Sequence, residues 1–465
     1  MLFSSSTFVA FFIVYLLFHF SIPRQHRVFL IIIGSAIFYA WWKPEYGWLP
    51  FFLTAIAYGG VVWMEHAPDD GVRRRRAAVT IVTLFLPLIF FKYTNFIWQD
   101  VLGPFTKAQD RILDLPLPLG LSFVTFTLTA YVIEIFKRRF PSTTPAKTVT
   151  AYVLFFPHLI AGPILRPAEL IPQLEKPAAA TLRLLGVGIA IFSLGLMKKV
   201  VFADQIGGFV DAVYAQTATP SGLDALLAIY GFSVQIYCDF SGYTDMALGS
   251  ALILGVKLPN NFFRPYAAVS IVDFWRRWHV TLSFWLRDYL YIPLGGSRHG
   301  RLRDIRNIMI TMTLGGLWHG ASWTFVIWGI LHGVAVSVVH VVGRSRRWTW
   351  VDAMPAWLAV LLTFHFVTFA WTFFRAPTVG KAIDVLCAPI ASEWGDPGAF
   401  LAANSFALVL AAVFFSFHRF DDHRRVKAWV RRVRPEVVWP VIGLAWIVAI
   451  TVSQGSSSKF IYFDF

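Results

Sequence analysis

Long apolar runs, separated by short basic clusters, recur along the whole chain. They fall roughly at 5–22, 27–42, 48–64, 77–96, 117–136, 181–203, 223–239, 322–342, 356–375, 401–418 and 437–453. Most are close to the length, about 17–25 residues, that carries a helix through hydrocarbon. Backbone in a bilayer must satisfy its own hydrogen bonds, so each run predicts a crossing helix. The pattern predicts an all-α, polytopic integral membrane protein with about 11–13 transmembrane helices. It reads as a single transmembrane domain over 1–465, with 454–465 a flexible extracytoplasmic tail. The first run lacks a basic leader and a small-residue cleavage site, so it is expected to be retained.

One stretch breaks the pattern. From Gln235 to Gly296 the chain carries Asp239, Asp245, Asp273, Arg276, Arg277, Arg287 and Asp288 among its aromatic residues. A lipid-facing helix does not carry that many charges, so re-entrant or oblique helices lining a central funnel are expected here. At helical spacing Arg276, His279, Ser283 and Arg287 would share one polar face, with Trp275, Trp278, Trp285 and Leu286 packing outward. Asp273, Arg276, Arg277, Arg287 and Asp288 also read as a buried ion network.

Composition agrees with the pattern. The chain is 57% hydrophobic and 14% charged, with mean hydropathy +0.60, where a soluble chain carries about 25% charged residues. The net charge of +15 sits in short loops around Arg24 and Arg27, Arg73–Arg76, Lys137–Arg139, Arg344–Arg347 and Arg424–Arg434. The first three clusters alternate with the runs so as to share one face, which the positive-inside rule makes cytoplasmic. Loops 43–47, 97–116, 204–222 and 376–400 are then outside, as are both termini. Nucleic acid is not an expected partner, because no single folded face gathers the basic residues. Cys238 and Cys387 form no disulfide framework. His279 and His319 lack zinc-ligand spacing, so no metal is expected.

Two phrases carry the candidate chemistry. One is Gly315-Gly316-Leu317-Trp318-His319-Gly320, the other Phe274-Trp275-Arg276-Arg277-Trp278-His279. An imidazole exchanges protons near neutral pH, and hydrocarbon is a costly place to keep one. The plainer reading of each is a hydrogen-bonded core histidine; for His158, His332 and His365 that reading is preferred.

Gln235–Met246, Asn261–Tyr266, Phe274–Gly296 and Leu314–Gly333 resemble the membrane-bound O-acyltransferase family almost residue for residue. The likeness is to its bacterial branch that O-acetylates extracytoplasmic polysaccharides, and most of all to the membrane subunit of alginate O-acetylation. Val124 and Thr127 depart from it, standing where the branch usually has tyrosine and glutamine. The resemblance implies a multi-pass protein of the bacterial inner membrane, with periplasmic termini. It implies His319 as catalytic base, with His279 orienting a thioester carbonyl or stabilising developing charge. It also implies acetyl-CoA as acyl donor, with no permanently bound cofactor. No Gly-rich phosphate loop marks the donor site, so Arg264, Arg276, Arg287, Arg298 and Trp318 are the candidates.

The closing Phe460-Ile461-Tyr462-Phe463-Asp464-Phe465 resembles an acyl-carrying tyrosine tail, which makes Tyr462 a candidate relay. Interfacial anchoring is the plainer reading of these aromatics. The chain has no GxSxG elbow of its own. A periplasmic SGNH-hydrolase-like partner is therefore expected to move the acetyl onto a polymer of alginate, cellulose or peptidoglycan type. A transporter or flippase for a polysaccharide or lipid-linked precursor is the competing class, since intramembrane charges suit it equally. An inert scaffold is a third reading, which leaves both histidines without a purpose.

Overall fold

The computed structural model describes residues 1–106, 110–176, 181–343, 354–453 and 460–461. Helices joined by short turns make up its regular structure, with no strand among the described residues. Among the described residues eight helices are long and apolar enough to cross a bilayer: 44–65, 70–93, 182–215, 222–253, 323–342, 356–375, 397–420 and 435–453. The other three apolar runs form shorter helices, Ser6–Ser21, Arg27–Ala40 and Leu121–Phe136, of 16, 14 and 16 residues. At about 1.5 Å per residue these fall short of a hydrocarbon layer about 30 Å thick. Apolar side chains continue past their helix ends, as Trp41 and Trp42 do.

The residues divide into two compact units, Met1–Phe192 with Met246–Pro259, and Ser193–Asp245 with Asn260–Phe465. In the first unit, fully buried Phe8 stacks on Phe12 at 5.4 Å and on Phe192 at 6.0 Å. Arg73 ties three of its helices by bonding Glu65 at 2.8 Å and the carbonyls of Ile135 and Phe136 at 3.1 and 2.7 Å.

In the second unit a helix leaves Met197, takes a wide π-type turn over Lys198–Ala203 and continues as Asp204–Ala215. Such turns are frequent at functional sites. The expected loop 204–222 is therefore mostly helix. The hydropathy falls at Asp204, but its carboxylate bonds Lys199 at 2.7 Å and the charge does not end the helix. Likewise 376–400 contains the helix Val379–Ala391.

The single helix expected through Arg276–Arg287 is not formed. Instead Ile271–Trp275 and Val280–Leu286 are separate short helices, and a widened turn Arg287–Tyr291 follows. The break is imposed from outside: Phe263 donates to the Arg277 carbonyl at 2.9 Å, and Val280 donates to the Asn261 carbonyl at 3.0 Å. Those bonds hold His279 left-handed, with φ 42° and ψ 54°. A non-glycine residue there costs about 1–2 kcal/mol. Within this segment Arg277 pairs with Asp273 at 2.9 Å and Arg287 with Asp288 at 2.7 Å.

Candidate active site

His319 is the last residue of the helix Arg301–His319, which ends because Gly320 turns extended at φ −157°. The chain then reverses into the helix Trp323–Gly343. Glycines let the two helices touch: a Cβ on Gly329 would meet the Met312 carbonyl oxygen at 2.5 Å. Buried His319 is thereby set among aromatic rings, edge-on to Trp318 at 4.9 Å, Trp328 at 5.2 Å and Phe374 at 5.2 Å.

His279 is fully buried, and Trp318 contacts it as well, at 6.2 Å. Asn261 Oδ1 accepts from the Thr281 amide at 3.1 Å and its hydroxyl at 3.0 Å, so that atom is the amide oxygen. His279 Nδ1, at 3.3 Å from it, is then the protonated nitrogen. The ring therefore carries its lone pair on Nε2. A neutral ring in this tautomer can accept at Nε2 but has no N–H there to offer a thioester carbonyl.

A second cluster was missed by sequence reasoning as a unit. Lys198 bonds Asp245 at 2.8 Å and Asp421 at 2.6 Å; Lys199 bonds Asp239 at 2.6 Å and Asp204 at 2.7 Å. His423 reaches Asp245 at 2.7 Å, and the Tyr237 hydroxyl donates to Asp421 at 2.6 Å. Close helix approach makes this possible, because a Cβ on Gly242 would lie 2.7 Å from the Gly195 carbonyl oxygen. The signal was two adjacent lysines inside an apolar run. Burial alone would raise the Asp421 carboxyl, but the Lys198 ammonium and the Tyr237 hydroxyl overrule it and hold it below the ordinary value.

The chain's closing segment comes to the same unit. Ile461 donates its backbone N–H to Asp239 Oδ2 at 2.7 Å. Phe460 is fully buried, stacked on Tyr243 at 4.4 Å and against Phe240 at 5.8 Å. Phe240 in turn meets His279 edge-on at 4.7 Å. Tyr462 lies outside the described residues.

The arginines proposed for the donor occupy separate settings. Arg264 donates to the Arg419 carbonyl at 3.3 Å, Arg276 and Arg298 are exposed, and Arg287 pairs with its neighbour Asp288. Trp318 is buried beside His319 instead. The other histidines have local roles: His158 bonds the Tyr152 carbonyl at 2.7 Å, and His365 the Leu361 carbonyl at 2.7 Å. His332 packs against Trp328 at 4.7 Å. Among the described residues no three His, Cys, Asp or Glu side chains converge on a metal position.

The family description "MBOAT, membrane-bound O-acyltransferase family" matches residues 122–376, which hold both histidines. The chain belongs to the membrane-bound O-acyltransferase family. It is thus an acyltransferase and a multi-pass membrane protein. It is 38% identical to a peptidoglycan O-acetyltransferase of Helicobacter pylori, over 77% of this chain and 72% of that one. It is 37% identical to a probable alginate O-acetylase AlgI of Pseudomonas aeruginosa, over 82% and 73%. A teichoic acid D-alanyltransferase of Bacillus subtilis is 30% identical, over 55% and 68%. All three are named for acyl transfer, which sets this membrane-bound O-acyltransferase apart from the transporter reading.

Proposed function

We propose that this acyltransferase takes acetyl from acetyl-CoA on the cytoplasmic side and passes it across the inner membrane for O-acetylation of an extracytoplasmic polysaccharide. The observation that carries the reading is the tail. Phe460 is seated on Phe240, whose ring meets His279, and two residues of chain span at most about 7 Å. Tyr462 follows Phe460 by two positions in the sequence, which supports the reading that it is the acyl acceptor.

In the first step His319 accepts the phenol proton of Tyr462, and the phenolate oxygen attacks the thioester carbonyl carbon. The new C–O bond forms and the C–S bond breaks. The proton returns from the imidazolium to the departing CoA thiolate, leaving acetyl-tyrosine and CoA. The proton is held at the C-terminal end of a helix, where the last carbonyls favour positive charge. His279, its Nδ1–H held by Asn261, packs beside Trp318 as a neutral ring with no N–H at Nε2 to donate to the carbonyl. An SGNH-type periplasmic partner then takes the acetyl onto its own serine, regenerates the phenol and delivers the group to a sugar hydroxyl.

The polymer is of the peptidoglycan or alginate type, the acceptors in the names of the two relatives above; cellulose is the third candidate. Both termini are periplasmic in this reading. The test is peptide mass mapping after incubation with isotopically labelled acetyl-CoA, alongside His319→Ala. Label on Tyr462 that disappears in the variant is expected. Thiol release with no tyrosine label would overturn the relay, and no thiol release with a partner present would overturn the donor.

A further inference from the structure

A cavity of about 260 Å³ lies in the second unit, away from His279 and His319. Its walls include Leu194, Phe202, Val413 and Phe414, and its polar end includes Lys198 and His418. One wall belongs to the span Pro397–Phe420, of which only 11% is buried, so the cavity borders a lipid-facing helix. Phe417, also at its edge, is 63% exposed.

Two features mark what the cavity would hold. His418 is 7% exposed, and neither ring nitrogen has a hydrogen-bond partner among the described residues. Its ring is clamped by Tyr237 at 4.8 Å and Phe414 at 5.1 Å, so it cannot turn out to water. A buried polar group left this way calls for a partner. Around Phe420, which lines the cavity, the guanidinium of Arg419 lies 4.6 Å from the ring centre and that of Arg425 lies 5.0 Å from it. Two cations are thus held over one aromatic ring of the cavity wall.

Asp421 and Asp422 also line the cavity, and Arg419, Arg424 and Arg425 outnumber them. Asp421 is engaged by Lys198 and Tyr237, and Asp422 accepts from the Arg424 backbone at 2.8 Å. The helix His423–Arg432 continues from here as His-Arg-Arg-Val-Lys-Ala-Trp-Val-Arg-Arg. It is a basic amphipathic helix with no acid, the composition of a segment lying on an anionic leaflet.

We infer that this cavity is a binding site for an anionic phospholipid of the surrounding bilayer. One acyl chain occupies the apolar cavity, His418 donates to a glycerol-ester carbonyl, and the phosphate rests on Arg419 and Arg425. A free phosphate would leave the apolar volume unfilled, so the ligand is the whole lipid.

The test uses the full chain, delipidated in detergent, with phosphatidylglycerol and phosphatidylcholine of identical chains compared by native mass spectrometry and thermal shift. Phosphatidylglycerol should bind tighter by roughly tenfold or more, the two surface arginines favouring the anionic headgroup. Arg419→Gln with Arg425→Gln should abolish that preference, while Val413→Trp, which fills the cavity, should weaken both lipids. Thermal stability in detergent alone reports whether each variant is folded. Equal binding of the two lipids would overturn the inference. So would retained preference in the arginine double variant, or full competition by inorganic phosphate.

Discussion

Replacing Gly329 with alanine tests whether helix contact sets the position of His319. The new Cβ would lie 2.5 Å from the Met312 carbonyl oxygen and 3.0 Å from the Thr313 Cα, both backbone atoms that cannot rotate away. Carbon–oxygen contacts relax at about 3.3–3.6 Å, so the helices Arg301–His319 and Trp323–Gly343 must part by roughly 1 Å. Met312 and Thr313 lie two turns before His319 on the same rod, so the displacement reaches the imidazole. A misplacement of about 1 Å at reacting groups costs roughly a hundredfold in rate, equivalent to about 2.7 kcal/mol of barrier. Overpacking also destabilises by about 1–3 kcal/mol, so folded protein must be quantified separately. The assay is thiol release from acetyl-CoA by purified protein in lipid discs, normalised to the folded fraction. Gly443→Ala, with nothing within 4 Å of its added Cβ, is the control and should match wild type. Turnover of Gly329→Ala within twofold of wild type would refute the reasoning.

Three further outcomes follow from the same geometry. Asn261→Ala removes the acceptor that holds the His279 tautomer, and should lower turnover by about 10- to 100-fold, the range for losing such an orienting partner; an unchanged pH–rate profile and rate would refute it. Asp239→Ala removes the acceptor for the Ile461 amide and one partner of Lys199. Tyrosine labelling and thiol release should fall together, because the phenol is the acyl acceptor, and proteolysis near the C-terminus should speed up; unchanged labelling with unchanged proteolysis would count against an anchoring role. The third concerns acid stability. Asp421 has a depressed carboxyl pKa in the folded protein, so its contribution is present above the unfolded value, about 3.9. It is lost as pH falls through the lower folded value. Asp421→Asn should be less stable than wild type at neutral pH and approach it in acid, as thermal unfolding in detergent across pH will report.

The histidine hairpin was legible because its requirements are local. Gly316 and Gly329 permit the approach, and an intramembrane histidine between apolar flanks stands out against hydrocarbon. His279 was legible as a residue but not as a geometry. Phe274–Leu286 contains neither glycine nor proline, so its own preferences run helical. The bonds from Asn261 and Phe263 override them, and those partners lie outside the segment. For the candidate donor arginines the charge was legible, while their separate settings depend on the packing around them.

By itself the sequence determined the class and the apolar runs, because hydrocarbon requires apolar length and internally bonded backbone, and both are written in consecutive residues. Only the tertiary structure decided the pairing of Lys198 and Lys199 with Asp204, Asp239, Asp245 and Asp421, and the seating of Phe460 beside Tyr243. Some of those partners are separated by as many as 223 positions. A charge in an apolar run announces that it needs a partner, but which one it meets depends on how the helices pack.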